Sequence, residues 1–211
     1  MFLAGFAQIN LIPYGIEVCQ YNAIQSGYLF VIAAIGIGIG SLWAGRLSGR
    51  SLEAGIIPFG VLLFSIGTIW LAAGHSKTWI FIAIFLMGTG AGLYIVPVQT
   101  FIQIRADRAL MGRIIAASNS LGWLGVALAS GIVSLLAGML KMSAASLFIV
   151  LSGLGILTFF VTLYYLREYV FRFVLSIPIR LIYRLRVFGE EHLPIEGGAL
   201  LVANHVSWMD G

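Results

Sequence analysis

The residues whose types and spacing could do chemistry stand at the far end of this 211-residue chain. His205 is followed at the fifth position by Asp210, both inside N-H-V-S-W-M-D-G and directly after the apolar run A-L-L-V-A of residues 199–203. Histidine has an unperturbed pKa close to neutrality, so it can take a proton from a hydroxyl group as a general base. An acid beside it would fix the imidazole tautomer and stabilise the imidazolium, so together they have the parts of a general-base pair. The other two histidines, His75 and His192, fall in a short loop and a turn and read as solvated residues. The one cysteine, Cys19, has no partner for an intrachain disulfide and no metal-ligand spacing, and no metal cluster is expected.

The elements that must position the dyad are a short strand at Val187 and Phe188, a turn through Gly189, Pro194, Gly197 and Gly198, and the apolar run, read as a second strand that delivers His205 to a loop. Residues 187–211 thus read as the start of an α/β domain, unfinished at Gly211, and this stretch alone is not expected to catalyse. Before it, residues 167–186 interleave five arginines with aromatic and aliphatic residues. That pattern suits a basic amphipathic segment at a membrane interface, with Phe171, Phe173 and Tyr183 at the acyl boundary and Pro178 separating two short helices. The plainer alternative is a basic flank to the last membrane span. Nucleic acid is not an expected partner.

The remainder of the chain is a membrane protein. Hydrophobic residues make up 60% and charged residues 9%, with a mean hydropathy of +1.02, which excludes a large soluble enzyme domain. Apolar stretches run over residues 26–45, 54–74, 78–98, 114–140 and 142–166, each near the ~20 residues a crossing needs, with a shorter one over 1–12 read as the remaining end of a truncated helix. Arg46, Arg50, Arg105, Arg108, Arg113, Arg167, Arg172, Arg180, Arg184 and Arg186 fall in alternate connections, against Lys77 and Lys141 in the others. The positive-inside rule then places the C-terminus in the cytoplasm.

Within the spans, Gly36 to Gly40 and Gly88 to Gly92 have the four-residue spacing that lets helix backbones approach, and Gly38, Gly90, Gly122, Gly125, Gly131 and Gly138 add further small residues. The runs G-I-G-I-G and G-T-G-A-G lie inside apolar helices without a preceding strand or phosphate-binding lysine, so they do not read as nucleotide loops. No charged side chain falls at the middle of the five full spans. Gln99, Gln103 and Asn119, with Thr100, Ser118 and Ser120, are candidates to line a polar path, or to hold helices together by hydrogen bonds. Glu17 reads as a solvated loop acid.

The stretch G-S-L-W-A-G-R-L-S-G-R, residues 40–50, resembles the glycine-and-arginine loop of the major facilitator superfamily. That resemblance implies a transport-motif role for Gly40, Gly45, Arg46, Gly49 and Arg50 in rocking between inward- and outward-open states. Glu53 is the only nearby acid to pair with those arginines. N-L-I-P-Y-G-I-E-V (10–18), the 40–50 loop and G-L-Y-I-V-P-V-Q (92–99) look like the C-terminal half of bacterial lysophospholipid transporters. Residues 1–166 would then be helices seven to twelve of an all-α polytopic membrane protein of the bacterial inner membrane. H-x-x-x-x-D with L-P-I-E-G-G-A-L-L-V-A-N-H before it resembles the glycerophospholipid acyltransferases. This implies His205 and Asp210 as catalytic residues, an acyl donor on coenzyme A or acyl carrier protein, and no bound cofactor. The order of parts resembles fusion proteins that import lysophospholipid and reacylate it. The alternatives are an acyltransferase whose helices are only an anchor, and a facilitator for another solute.

Overall fold

The computed structural model describes residues 1–48, 53–74 and 76–182. The described residues form seven helices: α1 (Phe2–Glu17), α2 (Ala23–Ser48), α3 (Ile56–Ala72), α4 (Lys77–Arg105), α5 (Met111–Gly138), α6 (Ala144–Tyr165) and α7 (Arg167–Ile182). The spans are helical because lipid leaves no other way within one segment to satisfy backbone polar groups, and their side chains are apolar because they face lipid or one another. Four of them, α2, α4, α5 and α6, are long and apolar enough to cross a membrane, and α3 is apolar throughout but has 17 residues. At 1.5 Å per residue α3 is about 26 Å long, close to the ~30 Å of the hydrocarbon. This is a multi-pass membrane protein.

Local chemistry sets the helix ends. α3 stops where Gly74 takes a φ of +65°, a left-handed conformation that glycine adopts without strain. Ser143 is the N-cap of α6, its hydroxyl accepting from the backbone N–H of Ser146 at 3.2 Å. α4 runs seven residues past the apolar stretch, through Pro97 to Arg105, because helical backbone bonding needs no apolar side chains. α7 also differs from expectation. It continues through Pro178 as one helix, since proline already has a helical φ and removes a single backbone donor.

The main core draws on α1 through α6 and includes Phe6, Leu11, Tyr14, Leu29, Phe64, Leu71, Ile84, Met87, Val133, Phe148 and Leu151. A smaller cluster of Ala44, Ile56, Leu93 and Phe173 gathers where α2 ends and α3 and α7 begin. Phe173 was expected at the acyl boundary, but it is 8% exposed and its ring lies 5.7 Å from that of Phe59. Phe173 and the Tyr169 carbonyl share one helix face, and that face meets Gly55.

Contacts fix which connections share an end. Tyr14 of α1 reaches Leu71 of α3, Asn10 and Glu17 reach Ala144 of α6, and the Lys77 ammonium sits 4.8 Å from the Tyr21 ring centroid. The α1–α2, α3–α4 and α5–α6 connections therefore lie together, with Lys77 and Lys141. Arg46, Arg105, Arg108, Arg113 and Arg167 belong to the opposite end, and all of these basic residues are exposed.

Candidate functional site

α4 is held between α2 and α3 by glycines on three helices. A Cβ placed on Gly36 of α2 would lie 2.5 Å from the carbonyl oxygen of Phe85, and one on Gly40 would strike the carbonyl of Thr89. From the other side, Gly88 and Gly92 face the carbonyls of Ala33 and Ile37. On the α3 side, a Cβ on Gly60 would lie 2.8 Å from the Tyr94 nitrogen, and one on Gly67 2.7 Å from the Ala83 oxygen. Gly90 faces α3 in the same way, against Phe64 and Gly60. Other glycines of the sequence pattern do no such packing: Gly38, Gly45, Gly131 and Gly138 have nothing within 4 Å of a built Cβ.

With two sides of α4 occupied, a third face borders a half-open cavity of about 510 Å³ lined by α1, α3, α4, α5 and α6. α4 contributes Gly90, Ala91, Tyr94, Ile95, Val98, Gln99 and Ile102, steps of three and four along one helix face. α5 adds Ser118, Leu121, Gly122 and Gly125, again one face, and α6 adds Leu154, Leu157 and Thr158. Four side chains in this lining carry polar groups, those of Tyr94, Gln99, Ser118 and Thr158, and none is charged. The Thr158 hydroxyl donates to the Leu154 carbonyl at 2.8 Å, which leaves Gln99, Tyr94 and Ser118 as the lining groups best able to meet a guest. Of the residues expected to form a polar path, Gln99 lines the cavity, while Gln103 and Asn119 are exposed and outside its lining. Tyr94 and Thr158 were not singled out by sequence, although Tyr94 is five residues before Gln99 on the same helix.

At the end away from the arginines, one face of α1 is tied to its neighbours. Asn10 is fully buried and donates from Nδ2 to the Ala144 carbonyl at 2.8 Å. The Glu17 carboxylate accepts from the Ala144 N–H at 2.7 Å, and the Tyr14 hydroxyl donates to the Leu71 carbonyl at 2.8 Å. Residues 10, 14 and 17 repeat at helical spacing, so one stripe of α1 carries all three. Glu17 is thus not simply a solvated acid. It is exposed yet caps the N-terminus of α6, where the free N–H groups and the helix dipole favour a carboxylate. Nearby Cys19 is buried, and burial raises its thiol pKa while Lys77 acts to lower it.

At the opposite end Arg46 is exposed on the last turn of α2. Gly49 and Arg50, like His205 and Asp210, lie outside the described residues, as does the α/β domain start at 187–211. Glu53 is half-buried just ahead of α3.

The sequence model of the Major Facilitator Superfamily matches residues 1–130. Among curated proteins, Multidrug resistance protein MdtL of Klebsiella pneumoniae (strain 342) is 24% identical over 177 residues, which covers 79% of this chain and 45% of that protein. MdtL of Shewanella oneidensis is 29% identical over 168 residues, 80% of this chain and 40% of the relative. The Niacin transporter NiaP of Acinetobacter baylyi is 29% identical over 109 residues, 50% and 25% respectively. The chain spans less than half the length of these relatives. No solved structure matches it.

Proposed function

Since this chain belongs to the Major Facilitator Superfamily, we propose that it is the C-terminal half of a transporter that moves lysophospholipid across a bacterial inner membrane, joined to an acyltransferase that reacylates the cargo. The cavity carries this reading: about 510 Å³, walled by apolar side chains from five helices, with uncharged Tyr94, Gln99 and Ser118 as its polar groups. Such a lining suits a single acyl chain with a few hydrogen bonds near its polar end, since an apolar wall recognises alkyl surface. The three segments at 10–18, 40–50 and 92–99 that look like lysophospholipid transporters support the same cargo.

The basic connections point to the cytoplasm, so the C-terminal segment starts on that side. There His205 would act as general base on the glycerol hydroxyl and Asp210 would orient and stabilise the imidazolium, with an acyl thioester on coenzyme A or acyl carrier protein as donor. Lysolipid released at the cytoplasmic leaflet would already be beside the acceptor site, so the tether raises its effective concentration.

A second reading is favoured by the relatives that carry the name multidrug resistance protein: the same apolar cavity would take a drug-like solute. Proteoliposomes holding the complete protein decide between them. Movement of labelled lysophosphatidylethanolamine together with its acylation is the expected result. Movement of an uncharged apolar dye such as Nile red, with no lysolipid transfer, establishes the second reading. Acylation without transfer of either reduces the helices to an anchor.

A further inference from the structure

α7 presents two opposite apolar faces, and only one of them meets protein. Phe173 turns inward and the Tyr169 carbonyl lies beside it, against a site that Gly55 makes by having no side chain: a Cβ there would lie 2.6 Å from that of Phe173. Phe171, Val174 and Leu175 stand roughly 170° away around the helix at 100° per residue. They are 67%, 46% and 44% exposed. An aromatic and two aliphatic side chains on one exposed stripe mark a contact surface.

The neighbouring residues identify what covers it. α7 starts one residue after α6 ends at Tyr164 and Tyr165, whose rings are 67% and 77% exposed, an aromatic pair of the kind that sits at headgroup level. The Arg167 guanidinium lies 5.9 Å from the Tyr164 ring centroid, and Arg172 is exposed on the flank of the stripe beside Glu168. The same end of the bundle carries Arg46, Arg105, Arg108 and Arg113. The stripe is therefore continuous with the lipid-facing end of α6 and lies in a basic surround.

We propose that the outer face of α7 docks onto the bilayer itself, with Phe171, Val174 and Leu175 in the acyl boundary of an anionic leaflet while Phe173 and the Tyr169 backbone hold the helix to the bundle. Alkyl burial supplies the non-specific attraction and the arginines add a part that depends on anionic lipid. The inference holds whichever solute the transporter carries.

The test uses the complete protein in a Cys19→Ala background, with single cysteines at Phe171 or Val174 labelled with bimane and the protein placed in phosphatidylethanolamine–phosphatidylglycerol liposomes. Both residues are exposed in the protein, so the labels leave the bundle packing alone. The expected result is loss of bimane emission to lipid carrying a doxyl group near the headgroup, little loss to aqueous iodide, and weaker lipid quenching when phosphatidylglycerol is replaced by phosphatidylcholine. Quenching by iodide and not by doxyl lipid overturns the proposal in favour of solvent exposure. Protection from both quenchers overturns it in favour of a covering protein surface. Equal doxyl quenching with and without phosphatidylglycerol overturns the role given to the arginines.

Discussion

Gly38 and Gly40 lie two residues apart in one apolar helix, yet substitution should separate them completely. Alanine at Gly38 meets open space, so it should gain part of the roughly 1 kcal/mol by which alanine exceeds glycine in helix propensity. Alanine at Gly40 adds the same propensity gain, but its Cβ would lie 2.9 Å from the carbonyl carbon of Thr89 and closer still to the oxygen, against ordinary contacts of 3.4–4 Å. The obstruction is backbone in the middle of α4, with no flexible side chain to rotate away, so α2 and α4 must part. Overpacking of this kind costs about 1–3 kcal/mol, enough to outweigh the propensity gain, and leucine should cost more. Because Gly60, Gly67 and Gly90 hold the other side of α4 against α3, the displacement cannot be absorbed there, and it reaches the cavity through Tyr94 and Gln99. In the complete protein, Gly40→Ala should melt below the unsubstituted protein and lose transport in proteoliposomes, Gly40→Leu should abolish it, and Gly38→Ala should be neutral or stabilising. Equal melting and equal transport for Gly38→Ala and Gly40→Ala would refute the reasoning.

Three other outcomes are expected. In a Cys19→Ala background, cysteines at Ala109 and Ser76, both exposed, should react with an impermeant thiol reagent from opposite sides of the membrane, Ala109 from the cytoplasm; labelling from one side would break the topology. Glu17→Ala should lower the melting temperature by removing the cap of α6, at about 0.5–2 kcal/mol, with Glu17→Gln keeping an acceptor and losing less, and Tyr14→Phe should cost about 0.5–1.5 kcal/mol for its bond to Leu71. In the complete protein, His205→Ala should cut acylation on the order of 10²-fold or more while lysolipid transfer stays measurable, and adding Asp210→Asn should make little further difference if the two act as a unit.

Much of the bundle is readable from the sequence because span length and loop charge are one-dimensional properties. Apolar runs at 26–45, 114–140 and 142–166 lie within a few residues of α2, α5 and α6. What the sequence leaves open depends on helix phase and on distant partners. Gly38 and Gly40 are equivalent in a string of alternating glycines, and only the azimuth of α2 relative to α4 separates them. Gln99 and Gln103 look alike for the same reason, as do Ser118 and Asn119, of which the first borders the cavity and the second does not. Glu17 resembles any loop acid until folding brings Ala144 to it from 127 residues away. Phe173 and Phe171 differ by two positions, and the gap left by Gly55 takes the first of them.

The ties on α1 also govern how the protein is made. Asn10, the first polar residue that α1 buries in this core apart from its backbone, receives its partner from Ala144, which the ribosome adds 134 residues later. At about 5–20 residues per second that interval is roughly 7–27 s. Throughout it the Asn10 amide, and the Glu17 carboxylate two turns on along the same helix face, wait without Ala144, whose carbonyl accepts from the first and whose N–H donates to the second. α1 must therefore be kept in a place where its polar stripe can meet water or the insertion machinery, and it can take its final position only once α6 has emerged. A ribosome that stalls before residue 144 leaves α1 without the partner that seals it into its bundle, which makes such a chain a substrate for membrane quality control.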